Sequence, residues 1–393
     1  MFLCSRVFVF NMKKSLLVTL EFPPQAGGVA TYYYNVCKNL PAEKITVMAP
    51  NQPNCEKFDE KQKFAIIRDK ILEDLLKTST LTSRLLQMGL IRMMGKIIKL
   101  HNIELIQVGQ ILPLGTLAYL YSRRHHIPYI VYTHGFDILL PQQFTRKKIL
   151  IKKIIDGAKA VVANSHFTKD ELVKLGADAD KIIVVHPCPN INNDEVSEWK
   201  IGEINEDYGL KNKKIILTVG RLVARKGHDL IIKALPAVIA KIPNLIYLII
   251  GTGPYQKELE KLVNQQGLRD YVKFLGYITD NELPAFYQVC DVFAMPSRQI
   301  GPDVEGFGIA YLEANLFSKP VIGGKSGGVG EAVINGKTGL LINPNRVEEA
   351  TEALIKLLTD SAYAERLGLQ GMERVIEEFD WASQTEKIKE VLA

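Results

Sequence analysis

Two carboxylates, Glu305 and Glu313, stand eight residues apart around a Gly-Phe-Gly turn. A helix that begins near Gly308 would leave Glu305 in the preceding loop and place Glu313 more than one turn inside, so that both could face one crevice. The free N–H groups and the dipole at the start of such a helix suit a phosphate, and the carboxylates suit sugar hydroxyls. On spacing alone, an ordinary amphipathic helix after a glycine-containing loop fits equally well.

Two cations, Arg221 and Lys226, follow directly after the first strand-like apolar run of the second half of the chain. Gly220 would let the chain turn tightly at the carboxyl end of that strand, which is the edge where open α/β sheets bind ligands. Two cations at that edge could neutralise a pyrophosphate. Solvated basic residues on the surface are the alternative interpretation.

Two weaker signals lie in the first half. Gly27 and Gly28 stand between a predicted strand and a predicted helix, where backbone N–H groups could approach an anion closely, although a plain turn would use the same residues. His134 and Asp137 lie three residues apart at the end of another predicted strand. They are candidate site residues, but a single histidine is more often a structural hydrogen-bonding residue.

Buried parallel strands are the elements that must position these residues. Short β-branched runs alternate with helical periodicity along the chain, which predicts two βαβ series and therefore an α/β protein of two doubly wound, Rossmann-like domains. The first series predicts a domain over 1–190, in which 1–11 is expected to be an extension outside the core. The second predicts a domain over 208–377, and the polar stretch 191–207 is the expected linker.

Composition and charge narrow the class of protein. The 393 residues are 47% hydrophobic and 23% charged, with no apolar run long enough to cross a bilayer. The five cysteines lack any paired or metal-binding spacing, which disfavours a disulfide framework or a zinc site and favours the cytoplasm. Residues 1–190 hold 26 Lys and Arg against 15 Asp and Glu, a net charge of +11, whereas the rest of the chain carries −5.

Two basic clusters, within 84–99 and 146–153, lie beside apolar residues. They predict either a core face with a solvated face, or peripheral contact with an anionic membrane. Nucleic-acid binding is not expected, because these basic residues sit on apolar helices without interleaved aromatic residues or a known binding motif.

The four chemical signals occur together, in chain order, in one family. They resemble the retaining glycosyltransferases of the GT-B class known as family 4, or glycosyltransferase group 1, at Gly27, Gly28, His134, Arg221, Lys226, Glu305 and Glu313. The resemblance spans most of the chain. It implies the GT-B fold, with two Rossmann-like domains facing a cleft and a last helix, within 378–393, that crosses back to the first domain.

The resemblance also implies a role for each position. Glu313 would hold the ribose of a nucleotide-sugar, and Glu305 would hold the hydroxyls of its sugar. Arg221 and Lys226 would stabilise the departing diphosphate. The implied catalytic residues are His134, Arg221, Lys226 and Glu305. The implied donor-binding residues are Gly27, Gly28, Asp137, Gly220, Gly276, Phe307, Gly308, Ile309 and Glu313.

Within the family, 296–308 and 221–229 are similar to the phosphatidylinositol mannosyltransferases, which use GDP-mannose. We therefore expect a retaining hexosyltransferase that moves mannose from GDP-mannose to a glycan or lipid-linked acceptor with α configuration, in cell-envelope glycan biosynthesis. It is expected in the cytoplasm or on the inner face of the membrane. No metal or other cofactor is expected: Asp178 and Asp180 spell the DxD metal motif of another glycosyltransferase fold, but they lie in a predicted polar loop.

Three alternatives stay open. A UDP-sugar-dependent enzyme of the same family, using glucose or N-acetylglucosamine, is the alternative for the donor. A GT-B phosphorylase or nucleotide-sugar epimerase is the alternative for the reaction, although the sequence shows no sign of a lysine-linked pyridoxal phosphate. A nucleic-acid-binding or anionic-surface-binding protein is the alternative from another class.

Overall fold

The computed structural model describes residues 12–25, 27–77, 82–191, 193 and 196–393. The described chain forms two compact units, one comprising the residues up to His186 together with Trp381–Ala393, the other Pro187–Asp380. The expected extension 1–11 lies outside the described residues. No helix in the described ranges is long and apolar enough to cross a membrane.

Each unit is built on one parallel β-sheet. The described strands of the first unit are β1 (Ser15–Val18), β2 (Ile45–Pro50), β3 (Ala65–Asp69), β4 (Leu105–Val108), β5 (Tyr129–Thr133), β6 (Ala160–Ala163) and β7 (Ile182–Val184). The described strands of the second unit are β8 (Lys214–Val219), β9 (Leu245–Ile250), β10 (Val272–Gly276), β11 (Val292–Met295), β12 (Val321–Gly324) and β13 (Gly339–Ile342). Every residue of β2 and β9 is buried, as expected for strands covered on both faces.

Helices connect the strands. In the first unit they are α1 (Gly28–Lys38), α2 (Cys55–Asp59), α3 (Lys70–Lys77), α4 (Thr82–His101), α5 (Thr116–His125), α6 (Phe136–Gln142), α7 (Thr145–Gly157) and α8 (His166–Lys174). In the second unit they are α9 (Glu198–Asp207), α10 (His228–Ile239), α11 (Gln256–Gln265), α12 (Leu283–Val289), α13 (Ile309–Leu316), α14 (Val329–Ala332), α15 (Val347–Thr359) and α16 (Ser361–Glu378). The last helix, α17 (Trp381–Leu392), belongs to the first unit.

The two sheets share one order for six strands, and the first sheet has β7 in addition. The strand order is β3-β2-β1-β4-β5-β6-β7 in the first sheet and β10-β9-β8-β11-β12-β13 in the second. In each, the order reverses beside the first strand, between β1 and β4 or between β8 and β11. Open α/β sheets bind ligands outside the carboxyl ends of the strands at this switch point. The predicted architecture of two doubly wound units is therefore confirmed.

The prediction that 191–207 is a linker is wrong for its second half. Glu198–Asp207 forms α9, which packs against α12 in the second unit. The Ser197 hydroxyl caps this helix by accepting the backbone N–H of Lys200 at 3.3 Å, and Ile204 is buried. The polar composition hid the helix because this single buried side chain gives little periodicity.

The chain end packs within the first unit. The Trp381 ring lies edge-on to Tyr32 of α1 at 5.4 Å between ring centres. The backbone N–H of Lys13 donates to the Leu392 carbonyl at 2.9 Å, and the side chain of Gln384 accepts the backbone N–H of His186 at 3.1 Å. Helix α17 therefore covers the first unit from a point just after residue 380.

Candidate active site

The loop after β8 carries the predicted cations to the switch point of the second sheet. It turns at Gly220, continues through a 3₁₀ turn over Ala224–Lys226, and enters α10 at Gly227. Gly227 has a φ of 80°, and a Cβ there would lie 2.2 Å from the carbonyl oxygen of Pro296. Only glycine fits this contact, so the backbone beside Lys226 packs directly on the chain that follows β11.

Glu305 is the centre of an ion-pair cluster. Its Oε2 lies 2.6 Å from Nζ of Lys226 and 2.5 Å from Nη1 of Arg225, and the Ser297 hydroxyl donates to it at 3.4 Å. The side chains of Glu305 and Lys226 are only 10% and 11% exposed. Burial alone would raise the pKa of Glu305, but the charges of Lys226 and Arg225 outweigh it and lower the pKa to about 2. Glu305 is therefore a carboxylate at every working pH.

Further ion pairs cross-link the two loops of the site. Nε of Arg225 lies 2.9 Å from Oδ1 of Asp303, and the Arg225 carbonyl accepts the backbone N–H of Arg298 at 2.7 Å. Nη2 of Arg298 in turn lies 2.6 Å from Oδ1 of Asp229, a buried residue in the first turn of α10. The loop after β8 and the loop after β11 are thus held together by charged groups as well as by backbone contact.

Two glycines pack against the backbone of the loop that carries Glu305. A Cβ on Gly327, which has a φ of 54°, would lie 2.3 Å from the Glu305 carbonyl oxygen, and one on Gly328 would lie 2.0 Å from that of Gly306. The backbone N–H of Gly328 donates to the Glu305 carbonyl at 2.9 Å. The Ser-Gly-Gly string after β12 is therefore a backbone support for Glu305.

Glu313 lies on the helix that Gly308 begins. Gly308 has a φ of 99° and precedes α13, whose first residue is Ile309, without any side-chain cap. The Tyr287 hydroxyl donates to Oε2 of Glu313 at 2.8 Å. Burial raises the pKa of Glu313 to about 7, in spite of that hydrogen bond. The two predicted carboxylates therefore have opposite pKa shifts.

Other predicted donor residues differ in accessibility. Gly276 ends β10 with a φ of 68°, and a Cβ there would meet nothing within 4 Å. Phe307 is 2% exposed, and its ring packs 5.7 Å from that of Phe379. Its side chain belongs to the core, which leaves only its backbone for a ligand. Arg221 is exposed, and among the described residues no carboxylate pairs with it, so Arg225 and not Arg221 joins Lys226 at Glu305.

In the first unit, His134 follows β5 and contacts Tyr33 of α1. The Tyr33 hydroxyl donates its proton to the Gly109 carbonyl, and its oxygen lies 2.6 Å from Nε2 of His134. With the Tyr33 proton on the Gly109 carbonyl, the matching tautomer of His134 carries its proton on Nε2 and keeps a lone pair on Nδ1. Burial lowers the pKa of His134 to about 4, so the ring is neutral at physiological pH.

Asp137 and the two glycines complete the first-unit positions. Oδ1 of Asp137 accepts the backbone N–H of His134 at 2.8 Å, whereas Oδ2 is buried without a hydrogen-bond partner in the described chain. Burial raises the pKa of Asp137 to about 6. Gly27 and Gly28 begin α1 without a side-chain cap, and a Cβ on either would meet nothing within 4 Å. Their backbone is open to a ligand.

Asp178 and Asp180 lie at a capped turn. A side-chain oxygen of Asp178 accepts the backbone N–H of Asp180 at 3.0 Å and caps the 3₁₀ turn Ala179–Lys181. Asp178 thus has a local structural role as the cap of this turn.

Sequence reasoning missed Arg225, Asp303, Ser297 and Tyr33. Arg225 stands beside Lys226 in the same string, but periodicity does not show that a 3₁₀ turn directs two consecutive side chains at one carboxylate. Asp303 lies two residues before Glu305, and their shared partner is visible only in the folded loops. Tyr33 is one of three consecutive tyrosines in a core helix, which gives no sign of a polar role.

Two parallel doubly wound units are the architecture of the GT-B fold, and the buried carboxylate–cation cluster lies at the switch point of the second. The chain belongs to the family 4, or group 1, glycosyltransferases. The family described as "Glycosyl transferases group 1" matches residues 200–374, and "Glycosyltransferase Family 4" matches residues 26–192. The protein is therefore an enzyme, a hexosyltransferase, as the resemblance predicted.

Known proteins of similar length agree with this. The chain is 31% identical over 389 residues to the GDP-mannose-dependent alpha-(1-6)-phosphatidylinositol monomannoside mannosyltransferase of Mycolicibacterium smegmatis, covering 96% of this chain and 98% of the relative. The GDP-mannose-dependent monoacylated alpha-(1-6)-phosphatidylinositol monomannoside mannosyltransferase of Corynebacterium glutamicum is 30% identical over 398 residues. The match covers 97% of this chain and 98% of that relative. Anabaena HepE in complex with UDP and glucose has the same fold, with a TM-score of 0.79 at 22% identity and 96% and 99% coverage.

Proposed function

We propose that this enzyme transfers mannose from GDP-mannose to a hydroxyl of a lipid-linked acceptor, and that the new linkage keeps the α configuration. The observation that carries the proposal is the buried cluster of Lys226, Arg225 and Glu305 at the second switch point, with Glu313 on the helix that follows. The activities of the mycobacterial and corynebacterial relatives support mannose, GDP and a phosphatidylinositol-based acceptor. A UDP-sugar donor is the alternative.

Each group of the second unit has a separate task in this proposal. Lys226 neutralises the diphosphate, together with the N–H groups at the start of α13. Glu305, ionised at all working pH values, accepts hydrogen bonds from the sugar hydroxyls. Glu313 accepts those of the ribose. In the first unit, His134 offers the lone pair of Nδ1 to a substrate hydroxyl, as its tautomer requires.

The proposed reaction proceeds on one face of the sugar. The bond from C1 to the diphosphate oxygen breaks, the acceptor oxygen bonds to C1 on the same face, and its proton passes to the leaving phosphate. Glu305 is a poor covalent nucleophile because Arg225 keeps its carboxylate in an ion pair. Lys226 and the N–H groups at the start of α13 stabilise the departing diphosphate, so we propose that no metal is needed.

A donor panel tests this proposal. Hydrolysis and the rise in melting temperature are measured with GDP-mannose, UDP-glucose and UDP-N-acetylglucosamine in parallel. We expect GDP-mannose to give the largest effect on both, and Lys226→Ala to reduce turnover by about 10²–10³-fold. Lys233→Ala, which removes a half-exposed lysine of α10, is the matched control. A preference for a UDP-sugar would refute mannose, and normal turnover by Lys226→Ala would refute the site.

A lipid-linked acceptor requires the enzyme to contact a membrane. We propose that α6 and α7 form the surface of the protein that makes this contact. Large apolar side chains are exposed on and between these helices: Phe136 at 43%, Leu140 at 39%, Phe144 at 54% and Ile149 at 54%. Exposed basic residues of α7 accompany them: Arg146, Lys147, Lys148, Lys152 and Lys153. We call this set the α6–α7 surface. Apolar side chains flanked by lysines suit shallow insertion into an anionic bilayer.

The other basic cluster, 84–99, lies on α4. Its inner residues, including Leu90 and Met94, are buried in the core of the first unit, whereas Met88 and Lys96 are exposed. The side chain of Arg84 lies outside the described ones. The outer face of α4 also exposes the apolar side chains of Leu85 and Leu100, beside three described basic residues that are exposed. The α6–α7 surface has five exposed basic residues beside its apolar side chains and is therefore the better candidate for membrane contact.

Vesicle co-sedimentation tests the surface. The wild type should bind phosphatidylglycerol vesicles at low salt and detach at high salt, since each basic residue near the membrane contributes about 1 kcal/mol. Reversing the charges of Lys147 and Lys148 should abolish binding, whereas reversing those of Lys61 and Lys63, exposed elsewhere in the same unit, should not. Equal binding by both double variants would show that the α6–α7 surface does not contact the membrane.

A further inference from the structure

Glu305 has two cationic partners that differ in how they are held. Lys226 contacts Glu305 through a flexible stem, and its ammonium is a compact charge that can turn to another anion. Arg225 is fixed at both ends of its guanidinium, with Nη1 on Glu305 at 2.5 Å and Nε on Asp303 at 2.9 Å. Its backbone carbonyl is also held, by the N–H of Arg298.

A diphosphate at this site would compete with Glu305 for Lys226. Once Lys226 turns to the phosphates, Glu305 keeps its negative charge in a buried position. A buried charge that loses its partner is strongly disfavoured and tends to take up a proton. Ser297 does not compensate for this loss, because its hydroxyl is neutral and donates at 3.4 Å. Among the described residues, Arg225 is then the remaining cation in contact with the Glu305 carboxylate.

We propose that Arg225, braced by Asp303, is the positioning residue that keeps Glu305 ionised and in place while Lys226 binds the donor diphosphate. Asp303 prevents the guanidinium from following Lys226 to the phosphates. Glu305 is thereby available to the sugar hydroxyls at the moment when the diphosphate takes its other cation. This inference rests on the proposed function, namely that the cluster binds a nucleotide-sugar.

Kinetics of Arg225→Gln, Arg225→Lys and Asp303→Asn test the inference. We expect Arg225→Gln to lower kcat for GDP-mannose turnover about 10²-fold with a KM within about threefold of the wild type, because Glu305 acts on the sugar and not on the diphosphate. Arg225→Lys should recover part of the loss, and Asp303→Asn should show a smaller loss of kcat. Arg346→Gln, which removes an exposed arginine from an ion pair of α15, should have no effect.

The number of protons taken up when GDP binds is a second measurement, and it should not change if Arg225 has only a structural role. GDP binding is measured by calorimetry at pH 5.5 in two buffers of different ionisation enthalpy. Arg225→Gln changes the surroundings of Glu305 and of Asp303, the two carboxylates that Arg225 contacts, so the same measurement with Asp303→Asn added to both proteins isolates the proton taken up by Glu305. We expect Arg225→Gln to take up at least about half a proton more than the wild type, since Glu305 then loses both cations.

The outcomes separate the two proposals. If the wild type neither binds GDP nor turns over a nucleotide-sugar, the proposed function fails and this inference fails with it. If the wild type is active but Arg225→Gln has normal kcat, or takes up no additional proton, only the inference is overturned. If Arg225→Gln does not fold, Asp303→Asn is used in its place. A kcat and a proton uptake equal to those of the wild type in Asp303→Asn would then overturn the inference.

Discussion

Replacing Glu313 by Gln should stabilise the protein at high pH and leave its stability unchanged at low pH. Burial raises the pKa of Glu313 from 4.5 to about 7. Between these two values the unfolded chain is ionised and the folded chain keeps its proton, so the free energy of unfolding falls as pH rises. At about 1.4 kcal/mol per pKa unit, a fully enclosed carboxyl with this shift would lower the free energy of unfolding by about 3 kcal/mol once pH exceeds its folded-state pKa. Glu313 is only partly buried, so we expect about 2 kcal/mol.

The Gln side chain resembles the protonated carboxyl and can still accept the hydrogen bond from Tyr287. Melting temperatures of the wild type and Glu313→Gln should therefore coincide near pH 4.5 and differ by about 4–8 °C above pH 8, with the variant higher. The variant should at the same time bind GDP less tightly, because an amide is a weaker acceptor for ribose hydroxyls than a carboxylate. A difference in melting temperature that is constant with pH would refute this account of Glu313.

Glu305→Gln is the matched contrast, since its pKa shift has the opposite sign. Lys226 and Arg225 hold the pKa of Glu305 near 2, so its contribution to stability is present above pH 4.5 and is lost as pH falls through 2. The amide would leave two buried cations without their anion. We expect a loss of about 3 kcal/mol at pH 7, measured by denaturant unfolding. Stabilisation of both Gln variants at high pH would contradict the assigned electrostatics.

The remaining predictions concern separate parts of the site. Tyr33→Phe should cost about 1–3 kcal/mol in denaturant unfolding, because the buried N–H of His134 loses its acceptor. Gly327→Ala should cost at least about 1 kcal/mol and impair turnover, whereas Gly330→Ala, with open space at its Cβ, should do neither. Arg221→Ala should lower turnover without lowering stability, since that side chain is exposed. Turnover should also survive excess EDTA, and loss of activity that manganese restores would contradict the metal-free proposal.

The sequence predicted the architecture well because its signals are local. Buried parallel strands require continuous apolar runs, and these occur at the positions of β1 and β8. Glycines mark the loops that follow these strands, because tight turns need them. Gly227, for example, has a left-handed backbone and a close backbone contact that leave no room for a side chain. The sequence therefore predicts Lys226 at the carboxyl end of a strand and Glu305 in the loop before a helix.

The structure added what depends on contacts between distant loops. A 3₁₀ turn directs the side chain of Arg225 at Glu305, and no periodicity in the sequence reports such a turn. The opposite pKa shifts of Glu305 and Glu313 come from their neighbours, the first from two cations and the second from burial beside Tyr287. Residues eight apart in one string thus have different environments that their spacing does not reveal.

The central claim is that the cluster around Lys226 binds the diphosphate of a nucleotide-sugar. Calorimetric titration of the wild type and Lys226→Ala with GDP and with guanosine tests it most directly, because the two ligands differ only in the phosphates. The account predicts that the wild type binds GDP at least about 10²-fold more tightly than guanosine, and that Lys226→Ala loses most of this advantage while its guanosine affinity is unchanged. Equal affinity of the wild type for GDP and guanosine, or an undiminished preference for GDP in Lys226→Ala, would contradict it.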